Sequence, residues 1–86
     1  MKILHLTLKG QYFDEIVAGT KREEYREIKP YWTKRLEGKN FNEILFKNGY
    51  SKNAPLMRVE WLGMAKGTTH YIIKLGRILE VRNNIT

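Results

Sequence analysis

The sequence predicts a small α+β domain in which about five strands form a curved or closed sheet, with two short helices beside it. Three observations carry this. The chain has 86 residues, 42% of them hydrophobic, which suits one domain that is neither disordered nor fibrous. Residues 2–8 and 56–62 alternate apolar and polar side chains with the period of a half-buried strand. Two other stretches carry apolar residues at helical spacing, each followed by a glycine, and the first lies between the first two strands.

In the first strand Leu4, Leu6 and Leu8 share one face, and Ile3, His5 and Thr7 the other. One side is therefore buried. His5, on the second face, reads as a packed or hydrogen-bonded histidine rather than a catalytic one, since the sequence offers it no carboxylate or hydroxyl partner. Lys9-Gly10-Gln11 leads into a helix from Tyr12 to Ala18, in which Tyr12, Phe13, Ile16 and Val17 fall at helical spacing. Asp14 and Glu15 are expected in its early turns, where acids suit the helix dipole. Gly19 stops it, being free to take positive φ.

Residues 21–28 are ambiguous by propensity, because Lys, Arg and Glu favour helix. The Gly19-Thr20 break and the poor apolar stripe of Tyr25 and Ile28 favour a strand. Pro30 then opens a helix over Tyr31 to Glu37, with Trp32 and Leu36 four apart and Gly38 as its stop. Phe41 to Phe46 reads as a strand with Ile44 and Phe46 on one face. Lys47 to Pro55 reads as a loop rich in turn residues. Along Leu56 to Leu62, Met57, Val59 and Trp61 point inward. Gly63 to Thr69 is expected to be a connection. The last strand, His70 to Val81, is long, with a bulge or bend at Gly76. Asn83 to Thr86 is expected to fray.

Size and composition bound the rest. At this length folding buries only roughly 60 to 65% of the surface of the unfolded chain, so stability is modest. There is no cysteine, hence no disulfide framework and no thiolate metal site, which fits a reducing cytoplasm. Two histidines are too few for a histidine-rich metal centre, and no metal or cofactor is expected. Neither a signal peptide nor a membrane span is visible. The net charge of +7 is spread over the chain, with nine basic and six acidic residues through position 39 and seven and three after it. Such an excess favours polyanionic partners.

The densest charge lies in Gly19-Thr20-Lys21-Arg22-Glu23-Glu24-Tyr25-Arg26, five charged residues in eight positions. As a strand it sends Arg22, Glu24 and Arg26 to one face and Lys21, Glu23 and Tyr25 to the other, so no register hides all the charge. The alternative is an ion pair between Glu24 and Arg26 that serves only the fold. Tyr31, Trp32, Lys34 and Arg35 interleave aromatic and basic residues in the manner of a single-strand nucleic-acid surface. Tyr31 is the candidate platform, whereas Trp32 pairs with Leu36 as core. Tyr50 and Lys52 lie on a loop that could border the same cleft or simply be a solvated turn. No Ser-His-Asp set, phosphate-cradling glycine loop or zinc spacing occurs.

The first strand, the helix Phe13-Asp14-Glu15-Ile16-Val17-Ala18, the pattern Gly19-x-Lys21-x-x-Glu24-x-Arg26 and the late strand Tyr71-Ile72-Ile73-Lys74-Leu75 resemble the ASCH domain family, within the wider PUA-like fold. The similarity covers nearly the full length, as a single domain over residues 1–86. The resemblance implies a small PUA-like β-barrel with flanking helices and a cleft lined by Lys21, Glu24 and Arg26, with Gly19 as the turn that delivers them. It also implies binding of RNA or action on nucleic-acid components. One branch of the family hydrolyses the amide of acetylated cytidine. That branch has a threonine where this chain has Glu24, a lysine matching Lys21, and a carboxylate from a longer segment. Here only Gly63 to Thr69 could host that segment, and it holds no acid, so this chemistry is disfavoured.

Three functions follow in order. The first is an RNA- or nucleotide-binding module using Lys21, Glu24, Arg26, Tyr31, Lys34, Arg35, Tyr50 and Lys52. The second is an enzyme acting on a modified nucleoside, with Lys21 and Glu24 as acid and base. The third is a protein-interaction module whose charges are solvated surface.

Overall fold

The computed structural model describes residues 1–82; the expected fraying of Asn83 to Thr86 lies outside them. The order is β1 (Ile3–Leu8), α1 (Gly10–Ala18), β2 (Glu23–Glu27), α2 (Pro30–Leu36), β3 (Glu43–Asn48), β4 (Leu56–Lys66) and β5 (His70–Arg82). The five strands form one sheet in the order β1-β3-β4-β5-β2. β1 pairs parallel with β3, and every other pairing is antiparallel. The sheet is mixed and curls into a half-barrel with β1 and β2 as its two margins.

Long, bulged strands produce the curl. β5 gains a residue on β4 between Arg58 and Val59 and again between Val59 and Trp61, where Gly76 lies; β4 gains one between Trp61 and Gly63. Each bulge bends its strand and increases its twist. The bulge at Gly76 agrees with the sequence, but the expected connection at Gly63 to Thr69 does not. β4 runs on to Lys66, and Gly63 supplies a bulge residue at φ +124° instead of a break. The hairpin turns only at Gly67–Thr69, closed by Gly67 N–H donating to His70 O at 2.8 Å.

The core lies inside this curl. Leu4, Leu6 and Leu8 of β1, Ile44 and Phe46 of β3, Met57 and Val59 of β4, and Tyr71, Ile73 and Leu75 of β5 are buried together with Phe13, Ile16 and Leu36 from the helices. Each large side chain so buried contributes about 1.5 to 3 kcal/mol relative to exposure. Trp61 packs against the core as expected but is less enclosed than Met57 and Val59: it lies half-buried, edge-on to Phe41 with ring centroids 5.0 Å apart. His5 is a correction. On a margin strand its face is uncovered, and it is exposed, with no side-chain hydrogen bond among the described residues.

The helices differ slightly from expectation. α1 starts at Gly10, one half-turn early, which moves Asp14 and Glu15 to its middle and leaves no acid in the first turn. β3 starts at Glu43 and takes in Lys47 and Asn48, shortening the expected loop. α2 is held to the sheet by the buried Tyr71, whose hydroxyl shares a 2.7 Å hydrogen bond with Thr33 Oγ1 and donates to the Glu37 carboxylate. No helix among the described residues is long and apolar enough to cross a membrane.

Candidate functional site

The site begins with the end of α1. Gly19 takes φ +82°, its N–H donates to Ile16 O at 3.0 Å, and Thr20 N–H donates to Glu15 O at 3.0 Å. This is the paired closure of a left-handed helix cap. Lys21 N–H and the Thr20 hydroxyl also donate to Glu15 O, each at 3.1 Å. Lys21 is thereby fixed before β2 begins. It is not part of the alternating strand, and that freedom lets its ammonium reach round to the face that Glu24 occupies.

In β2 the alternation holds. Glu24 is buried and Arg26 partly so, while Tyr25 lies 49% exposed on the other side. Lys21 Nζ lies 3.2 Å from Glu24 Oε1, and Arg26 Nη2 lies 2.7 Å from Glu24 Oε2. One carboxylate is thus clamped between two cations, and the three residues converge as expected. Arg26 Nη2 also donates to Thr7 O of β1 at 3.1 Å, across the open seam of the half-barrel. The guanidinium carbon sits 4.9 Å from the centre of the Trp32 ring. Arg26 Nε is buried with no partner, and Nη1 has none among the described residues.

Aromatic rings surround these charges. Lys21 Nζ is 5.4 Å from the ring centres of both Tyr12 and Tyr25. Tyr12 and Tyr25 are exposed, and with Glu24 and Lys21 they wall a depression of about 260 Å³. A larger cleft of about 440 Å³ adjoins it through Tyr12, Glu24 and Tyr25, extending over Arg26 and Trp32 to Lys9. His70 and Lys29 close its far side, where Lys29 Nζ stands 3.4 Å from Glu27. The Tyr25 hydroxyl donates to Glu23 Oε1 at 2.6 Å, and Lys74 bonds the other Glu23 oxygen. The hydrogen bond from Lys74, followed by that from Tyr25, holds the Glu23 carboxyl below the usual carboxylate range. The same Glu23 bond raises the Tyr25 phenol.

The remaining sequence candidates stand elsewhere. Tyr31 is exposed, but Arg35 covers its ring with the guanidinium carbon 3.5 Å from the ring centre, and the edge contact with Trp32 is at 4.8 Å. Lys34 and Arg35 are exposed on α2, and Tyr50 (89% exposed) and Lys52 lie on the loop before β4. None of these five lines the clefts beside Glu24. In the other direction Trp32, expected only as core, packs on the core and also walls the cleft. Tyr12 and Tyr25 were missed as well. Tyr25 carried a signal, since it alternates away from Glu24; Tyr12 carried none, because its helical spacing with Phe13 and Ile16 reads as core, whereas it is exposed.

The Glu24 carboxylate is engaged at both oxygens, and the Thr20 hydroxyl is turned to the Glu15 carbonyl. No group of three or more His, Cys, Asp or Glu side chains among the described residues is placed to hold a metal ion. No protein-family model matches the chain, nor does any curated protein or solved structure.

Proposed function

We propose that this protein is a small PUA-like domain of the ASCH type that binds single-stranded RNA, or a nucleotide within it, in the cytoplasm. The observation that carries the reading is the open cleft in which exposed Tyr12 and Tyr25 flank the Lys21 ammonium beside the unpartnered Nη1 of Arg26. Splayed bases stack on such rings, and each stacked base contributes about 1 to 3 kcal/mol. Lys21 and the unpartnered Nη1 of Arg26 supply the positive charge for the adjoining phosphate, each as a single donor group. Glu24 sets the direction of both cations; with its own charge matched twice, it does not repel an anionic guest.

The test is fluorescence anisotropy with a labelled, unstructured RNA. Binding should weaken steeply between about 50 and about 200 mM salt, as counterion release requires. Tyr25→Ala removes an exposed ring with no core role and should weaken binding by roughly tenfold, the lower part of the stacking range. Unchanged affinity in this variant, or no binding of any RNA, would sink the reading. Product formation from an amide-bearing nucleoside would replace it with a catalytic one.

A further inference from the structure

The flank of Lys21 turned away from the aromatic cleft holds a second feature. Gly19, Lys21 and Arg22 face Gly76 and Arg77 of β5 across a depression of about 350 Å³. Its floor is apolar, from Ile16, Leu75 and Ile78, and no carboxylate lines it. That composition is unusual on this surface. The neighbouring depressions that share Lys21, Arg22 or Tyr25 with each other carry Glu15, Glu23, Glu24 or Glu27 in their walls, and Arg22 has no ion pair among the described residues. Arg77 is 82% exposed, with its nearest carboxylate, Glu60, at 4.0 Å. Two of the carbonyls at the end of α1, those of Glu15 and Ile16, are taken up by the cap and by the Thr20 hydroxyl. Gly19 leaves its backbone open to close approach, since a Cβ there would touch nothing, whereas the corresponding space at Gly76 is filled by the Glu60 side chain.

We infer that this depression holds a backbone phosphate of the same RNA strand, so that the ligand is an oligonucleotide crossing Lys21 rather than a lone nucleotide. The inference rests on the RNA-binding reading above and extends it. The base-stacking cleft and the phosphate depression share Lys21, which faces Tyr25 on one flank and adjoins Arg22 on the other. A strand with a base against Tyr25 then places a neighbouring phosphate between Arg22 and Arg77. Both guanidiniums can present a fork to it.

Two probes separate this from the parent reading: a labelled oligouridylate of about ten nucleotides, within the usual single-strand site sizes, and uridine 5′-monophosphate followed by the NMR shifts of the Tyr25 ring. The Arg22→Ala/Arg77→Ala variant should bind the oligonucleotide about tenfold more weakly. Its plot of log affinity against log salt should be shallower by roughly 0.7 for each phosphate contact removed. Its response to the mononucleotide should match that of the unaltered protein. Wild-type affinity and salt slope in the double variant, with Tyr25→Ala still impaired, would overturn the inference and leave the cleft standing. Oligonucleotide binding indifferent to all three substitutions would overturn both. Arg77→Glu alone, at a side chain almost wholly in solvent, gives the same comparison if the pair disturbs folding.

Discussion

Arg26 carries more duties than any other side chain at the site. It clamps Glu24, donates to the Thr7 carbonyl on the opposite margin of the sheet, and rests on Trp32. Arg26→Ala therefore leaves Glu24 buried with one cation instead of two. Lys21 is positioned differently, by the backbone: Gly19 at φ +82° turns the chain so that Lys21 meets Glu24 before β2 starts. A Cβ at Gly19 would touch nothing, so Gly19→Ala isolates the backbone effect. A left-handed conformation costs an alanine about 1 to 2 kcal/mol. Urea denaturation should show a loss of that size, and the proposed RNA binding should weaken as Lys21 shifts off Glu24. The position of Gly19 was legible in the sequence because a helix stop is local chemistry. The escape of Lys21 from the strand pattern was not, since two-residue alternation says nothing about where a strand begins.

Among the elements, α2 depends most on a single polar contact. It has seven residues, no side-chain cap at its start, and only Leu36 fully buried. Such a helix is too short to persist alone. The hydroxyl of Tyr71 supplies what is missing by reaching both Thr33 and Glu37. The same bond, ahead of the one from Lys66, lowers the Glu37 carboxyl. Tyr71→Phe should cost about 1 kcal/mol by removing a buried hydrogen bond while keeping the ring. Hydrogen exchange should then speed up in α2 before it does in β3 or β4. The two helices and five strands could be read from periodicity and glycine stops. The length of β4 could not, because a glycine at a bulge and a glycine at a turn look alike in sequence, and Gly63 is the former.

For the molecule as a whole, the ledger of charges predicts acid sensitivity. On the outer side of β3, β4 and β5, Arg58 grips Glu43 through two hydrogen bonds of 2.8 and 2.9 Å and Glu80 through one of 3.0 Å. The Arg58 hydrogen bonds hold the Glu43 carboxyl below its usual value, and those from Arg58 and then Arg82 do the same for Glu80. Glu23 and Glu37 are lowered as well. A carboxyl with a depressed folded value binds fewer protons folded than unfolded, so its contribution is complete above the ordinary value of 4.5 and is lost as pH falls through the folded values. The urea midpoint should be flat above that value and fall below it. Glu43→Gln should flatten the fall, and an unaltered pH profile in that variant would refute the assignment. None of this was legible beforehand. Glu43, Arg58 and Glu80 are scattered along the chain, and only the sheet order brings them side by side.

The seam between β1 and β2 has one further consequence. The curl stops short of closure, and a single guanidinium bridges the gap to Thr7. A guest that recruited this group for its own oxygen atoms would be competing with the fastening of the domain itself. Occupancy and mechanical integrity would then be coupled, and a variant that impairs the proposed recognition while sparing the scaffold has to be sought at Tyr25, not at Arg26.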